Sequence, residues 1–123
     1  RAEKRARSLE RAAGQAEQEA EKVARQSAAL AARIQETEAE IVVGETGAAA
    51  GTAKRLAALA SKVRALEHLG LSELPSTRLL VHTARLIESG LEPRLACRVG
   101  LVEPLTDDPE VAGALQDLIQ LVF

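Results

Sequence analysis

Leu74-Pro75-Ser76-Thr77-Arg78-Leu79-Leu80 is the stretch that decides the fold of this 123-residue sequence. Pro75 and Ser76 stand directly before an apolar-periodic run, which is the signature of a helix entrance. The Ser76 hydroxyl is placed to accept from the first free amides of that helix. Arg78 then falls in the first turn, where the helix macrodipole disfavours a cation. An arginine at that place is either solvated or kept for something anionic. A second entrance follows at Leu101-Val102-Glu103-Pro104-Leu105-Thr106-Asp107-Asp108-Pro109-Glu110. There Asp108 takes the N-cap, Pro109 the first helical position and Glu110 the first turn.

Outward from these two entrances the pattern is helical everywhere. The third helix runs from about Ser76 to Ser89 and ends at Gly90, with Leu79, Leu80, Ala84, Leu86 and Ile87 as its apolar content. A fourth helix is expected from about Pro93 to Leu101, stopping before Pro104, and a last one from Asp108-Pro109 with Val111, Leu115, Leu118, Ile119 and Val122 inward. Upstream, Leu56, Leu59, Ala60, Val63 and Leu66 mark one face of a second helix, about Thr52 to Leu69. Lys54, Arg55, Lys62 and Arg64 lie largely off that face, and Gly70 suits its C′ position. Gly44 to Gly51 reads as a break.

Residues 1 to about 43 read as one long helix, with Gly14 the only glycine before Gly44. Its small and apolar positions are Ala2, Ala6, Leu9, Ala13, Ala16, Ala20, Val23, Ser27, Leu30, Ile34, Thr37 and Ile41. Their spacing alternates four and three, which is a heptad seam. Alanine fills most of its first half, so close approach is possible but little area is buried. Val23, Leu30, Ile34 and Ile41 suggest that the second half is docked and the first half looser or paired with another chain. Ile41-Val42-Val43 is too short for a strand and sits in the helical period. The fold class is therefore all-α: a small helical bundle preceded by a long heptad-patterned helix.

Composition excludes several functions. Formal net charge is −2, which makes no electrostatic case for nucleic acid or an anionic membrane. Phe123 is the only aromatic residue, so there is no platform for stacking bases or sugars. No apolar run is long enough to span a bilayer and no signal peptide is visible, so the cytoplasm is the expected location. Cys97 is the only cysteine. It reads as a small buried hydrophobe, with no partner for a disulfide or a thiolate cluster. With Arg1 and not methionine first, the sequence reads as a fragment, a trimmed form or only the ordered part of a chain.

Few constellations could carry chemistry. Ile41-Val42-Val43-Gly44-Glu45-Thr46-Gly47 invites a phosphate-loop reading, because a glycine-rich turn can aim amides at phosphates. The glycine and lysine of that motif would fall on Ala49 and Ala50, or on Thr52 and Ala53, and Lys54 is out of register. A plain loop is therefore expected from Gly44, and not a phosphate loop. His68 and His82 share neither a helix nor a ligand spacing, and His68 suits a helix C-terminus. Asp107 and Asp108 are explained by the helix entrance, and no nucleophile–base or paired-carboxylate arrangement is present. Glu17, Glu19 and Glu21 with Lys22 and Arg25 form a solvated face, on which Glu21 to Arg25 is worth about 0.3 kcal/mol. Arg78 is the one candidate functional residue.

From Glu38 onward the sequence resembles the C-terminal helical part of MoxR-type AAA+ ATPases of the CbbQ/NirQ/NorQ group. The matching runs are Glu38-Ala39-Glu40-Ile41-Val42, Ser76-Thr77-Arg78-Leu79-Leu80-Val81, Ala84-Arg85-Leu86-Ile87-Glu88-Ser89-Gly90-Leu91, Pro93-Arg94, Ala96-Cys97 and Val102-Glu103-Pro104-Leu105-Thr106-Asp107-Asp108-Pro109. Residues 1–37 do not resemble the family. The resemblance implies a division into a coiled-coil-like helix (1–37) and an AAA+ lid-like domain (38–123). It implies that Arg78 is a sensor-2 arginine, reaching the phosphates of a nucleotide held by the adjoining ATPase core. It further implies ATP and Mg as cofactors of that core, a homo-hexamer in which this segment contacts the core and neighbouring subunits, and a von Willebrand factor A-domain adaptor. The implied clients are metalloenzymes such as Rubisco or nitric oxide reductase. Lacking a phosphate loop, this chain would take no cofactor and hydrolyse no ATP alone.

The residues also support a second reading. An α-helical interaction module would self-associate through the Ala6 to Ile41 seam and show no response to nucleotide.

Overall fold

The computed structural model describes residues 1–66, 70–71 and 73–123, and these form two compact units, Arg1–Arg33 and Ile34–Phe123. The expected second-helix end at Leu69 and the histidine His68 lie outside the described residues. Among the described residues all regular structure is helical, in the order α1 (Ala2–Thr46), α2 (Ala50–Arg64), α3 (Thr77–Glu88), α4 (Pro93–Cys97), a π-helical turn (Arg98–Val102), α5 (Glu103–Leu105) and α6 (Pro109–Val122). No described helix is long and apolar enough to cross a membrane.

In the unit Arg1–Arg33 the residues are exposed throughout, apart from half-buried Gly14. The seam residues Leu9, Val23 and Leu30 are 71, 59 and 57% exposed. The expected Glu21–Arg25 pair is not among the ion pairs formed; on this helix Glu3 and Arg7 approach to 3.9 Å, both well exposed.

The unit Ile34–Phe123 has the interior. α1 enters it through Glu38, Ala39 and Val42, which are buried, whereas Ile34 and Ile41 are exposed. The docked face is thus rotated off the heptad seam, which corrects the expectation that the larger seam residues would anchor this helix. Val42, the last buried residue of α1, leads into the turn at Gly47 that joins α1 to α2. Thr46 Oγ1 donates to the Val42 carbonyl at 2.6 Å and accepts from the Ala48 amide at 3.1 Å. Gly47 follows with φ of +71°, a left-handed conformation that glycine adopts without a Cβ penalty. The break is consequently narrower than 44–51, since Gly44 and Gly51 are helical.

α2 buries Ala53, Leu56, Ala57, Leu59, Ala60 and Val63, the face its spacing predicts. It stops at Arg64, so Gly70, despite a φ of +65°, does not stand at its C′ position. α3 contributes Leu80, Thr83 and Ala84, and α6 contributes Leu115 and Ile119. With Cys97, Leu101, Val102 and Leu105 the apolar residues among these form one core, against which Phe123 packs at the edge. A void of about 10 Å³ among Leu59, Val63, Leu101 and Ile119 is about one water in size and wholly apolar, so packing is close.

The fourth helical stretch departs from expectation. It does not stop before Pro104 but continues through it to Leu105. A proline ring clashes with the carbonyl four residues earlier in a regular α-helix. Here the turn before it widens to π geometry, with the Glu103 amide bonded to the Arg98 carbonyl. That widening makes room for Pro104 and lets the helical path continue. The same turn brings Gly100 against α3: a Cβ there would overlap Thr83 Oγ1 and lie 3.2 Å from Thr83 Cα. Glycine is therefore required by close backbone approach.

Candidate functional site

The entrance of α3 is where the sequence places its candidate residue, and the structure builds it from three segments. Ser76 is extended and caps the helix, its hydroxyl accepting from the Leu79 amide at 3.3 Å. Thr77 opens the helix and Arg78 follows as its second residue. Arg78 is exposed, and neither a hydrogen bond nor an ion pair engages its guanidinium among the described residues. α3 carries no acid in its first turn. A free cation beside partly positive amides is an arrangement that favours an anion from outside.

Behind Arg78 lies a polar cluster. Arg64, the last residue of α2, meets Glu38 of α1 in a bidentate pair, Nη1 to Oε1 at 2.6 Å and Nη2 to Oε2 at 2.7 Å. Arg64 also donates to the Pro75 carbonyl, from Nε at 3.1 Å and from Nη2 at 2.9 Å. Thr77 Oγ1 donates to Glu38 Oε2 at 2.8 Å. Glu38 is only 4% exposed and Arg64 is half-buried. The Arg64 hydrogen bonds hold the Glu38 carboxyl below its ordinary value against the opposing pull of burial, with Thr77 and the Arg64 charge adding to the lowering. Reciprocally, the bond to Glu38 raises Arg64. Both groups are ionised at neutral pH.

Sequence spacing placed Arg64 largely off the apolar face of α2, and this is corrected. Arg64 is four residues beyond buried Ala60 and eight beyond buried Leu56, so it continues that row. Glu38 likewise immediately precedes buried Ala39 and lies four residues before Val42. Two opposite charges, each on the apolar row of its own helix, were the available signal.

The remaining sequence candidates do not join this site. Cys97 is buried, and its thiol is pushed up to about 12 by burial and, secondarily, by the Glu92 charge. It is an inert apolar residue at neutral pH. His82 is exposed on α3. Asp108 caps α6 by accepting from the Glu110 amide at 2.9 Å. The residues tested for a phosphate loop form the end of α1 and its turn. An open groove of about 380 Å³ lies between the π turn and α6, lined by Arg98, Glu103 and Asp107 among others, and Arg78 does not line it. Arg78 is thus a surface cation on a braced helix entrance, and it lines neither this groove nor the apolar void.

Comparison with known proteins gives the setting. Residues 38–122 match the family model described as CbbQ/NirQ/NorQ C-terminal. The denitrification regulatory protein NirQ of Pseudomonas aeruginosa is 52% identical over 84 residues, covering 68% of this chain and 32% of NirQ. Protein CbbQ of Hydrogenophilus thermoluteolus is 46% identical over 88 residues, 72% of this chain and 33% of CbbQ. Protein NorQ of Paracoccus denitrificans is 41% identical over 86 residues, 70% of this chain and 32% of NorQ. The chain spans about a third of the length of these relatives.

Proposed function

The chain belongs to the CbbQ/NirQ/NorQ C-terminal family through residues 38–122, and on that premise we propose that this segment is the helical lid of a MoxR-type AAA+ ATPase. In this reading Arg78 is the sensor-2 residue. The observation that carries the proposal is its exposed guanidinium, unengaged among the described residues, in the first turn of a capped helix. Such a group fits a phosphate oxygen, donating charge-assisted hydrogen bonds from a planar fork. The nucleotide itself, with Mg, is held by an ATPase core outside this segment. The lid changes its angle as phosphate charge appears and disappears beside Arg78. The complete protein is a cytoplasmic homo-hexamer that works with a von Willebrand factor A-domain adaptor. It activates or remodels a client metalloenzyme such as Rubisco or nitric oxide reductase.

A chimera tests the reading, with residues 38–122 of this chain in place of the matching segment of Pseudomonas aeruginosa NirQ. Losing one charge-assisted contact to phosphate costs about 1.5–3 kcal/mol, so Arg78→Ala is expected to weaken ATP binding by about 10- to 100-fold. Unchanged affinity and unchanged hydrolysis would mean that Arg78 senses no phosphate.

A second reading applies to residues 1–33, where the seam residues Leu9, Val23 and Leu30 remain exposed. This helix then self-associates as a coiled coil. Analytical ultracentrifugation of the whole chain against residues 34–123 tests it: loss of an oligomer on truncation is the expected result, and an unchanged monomer refutes it.

A further inference from the structure

We propose that the Glu38–Arg64–Thr77 cluster is a positioning device for Arg78, fixing the backbone from which that side chain leaves. This rests on the reading of Arg78 as a phosphate-sensing group.

At the α3 entrance Pro75 is buried, and the Leu79 and Leu80 amides donate to the Ser76 carbonyl at 3.1 and 3.3 Å. The cap from Ser76 to Leu79 is long, at 3.3 Å, and solvent-exposed. The firmer ties run to the cluster. Arg64 grips the Pro75 carbonyl twice, and Thr77 donates to Glu38. Pro75 is three residues before Arg78 and Thr77 is its immediate neighbour, so both sides of the Ser76 cap are fastened. The proline ring also fixes its own φ, which removes one free rotation from the approach. What they are fastened to is α1 through Glu38 and α2 through Arg64.

The chemistry of the cluster suits positioning better than stabilisation. Ionising two groups in a desolvated setting is costly, and such pairs contribute little net stability compared with apolar packing. What the bidentate geometry supplies is direction, because both N–H···O bonds are met only in one relative orientation of the two planes. The cluster is also saturated within itself. Glu38 takes three donors, from Arg64 and Thr77, so it does not draw on Arg78. A carboxylate that is matched by its own arginine leaves the neighbouring cation its charge for an incoming anion. A small misplacement of a charged group that must meet a phosphate is expensive in binding, so a helix entrance braced on two other helices has a use there.

The test is a double-mutant cycle on equilibrium binding of a fluorescent ATP analogue, in the chimera described above. Thr77→Val removes one hydroxyl while leaving the Glu38–Arg64 pair, and is expected to weaken binding about three- to tenfold. Thr77→Ser is expected to restore it. In an Arg78→Ala background the Thr77→Val step is expected to have no further effect. As a readout independent of nucleotide, amide exchange at Leu79 and Leu80 in the 123-residue chain is expected to quicken in Glu38→Gln and in Thr77→Val. Parent-like affinity in Thr77→Val overturns the proposal. So does an equal loss with and without Arg78, which would mean that the cluster only stabilises the domain. Parent-like affinity in Arg78→Ala alone is a different result: it removes the phosphate-sensing reading and the proposal with it.

Discussion

Residues 1–33 and residues 34–123 are both rich in alanine, glutamate and arginine, yet only the second has an interior, and leucine is sparse in the first, at Leu9 and Leu30 alone. Leu9 and Val23 are 71 and 59% exposed, while Leu56 and Leu80 are fully buried. Both regions have helical periodicity. One part of the difference is this scarcity of large apolar residues, and the other lies in the turns. Gly47 and Gly90 take positive φ, and Pro75-Ser76 and Asp108-Pro109 open new helices, so each apolar face in 34–123 meets another. Residues 1–33 have no such reversal, and their face stays bare. Periodicity alone creates a face; a chain reversal gives it something to cover.

That contrast can be broken most severely at Leu80. Leu80→Ala should cost about 2–5 kcal/mol in a thermal or urea melt, because a fully buried side chain leaves a cavity. Gly100→Ala comes next, at about 1–3 kcal/mol, since the added methyl meets backbone as well as side chain of Thr83. Glu38→Gln is expected to cost about 1–2 kcal/mol at neutral pH by leaving half-buried Arg64 without its charged partner.

The pH dependence of that last variant sharpens the comparison. Glu38 is lowered from its ordinary value of 4.5 by Arg64, so its contribution is complete above that value. It is lost as pH falls through the lower folded-state value. The parent should therefore lose stability on acidification below about pH 4.5 more steeply than Glu38→Gln does, and parallel acid limbs would contradict this. At the small end, Leu9→Ala should change the melt by less than about 0.5 kcal/mol, because nothing in its own unit covers that side chain. A larger effect would show that the seam is covered in solution.

Much of the 34–123 region was legible in the sequence because its helix entrances are local. Ser76 and Asp108 cap where proline and spacing place them, and the α2 face reads directly from Leu56, Leu59, Ala60 and Val63. Three features were not legible, each for a tertiary reason. The docked face of α1 runs through Glu38, Ala39 and Val42 and not along the heptad seam. The π turn before Pro104 depends on helical backbone continuing past a residue that normally ends it. The Glu38–Arg64–Thr77 cluster joins residues 26 and 39 positions apart, and no local pattern pairs them. The position of Arg78 was legible; that no carboxylate among the described residues engages it follows only from the structure, where Glu38 is matched by Arg64.

The central claim is that the Arg78 guanidinium meets a phosphate of a nucleotide bound by another part of the complete protein. A structure of the chimera with a non-hydrolysable ATP analogue measures this directly. The account predicts a guanidinium nitrogen about 2.7–3.2 Å from a phosphate oxygen, with the Arg64–Glu38 pair closed behind it. A bound nucleotide with Arg78 turned to solvent or to a protein carboxylate would contradict it.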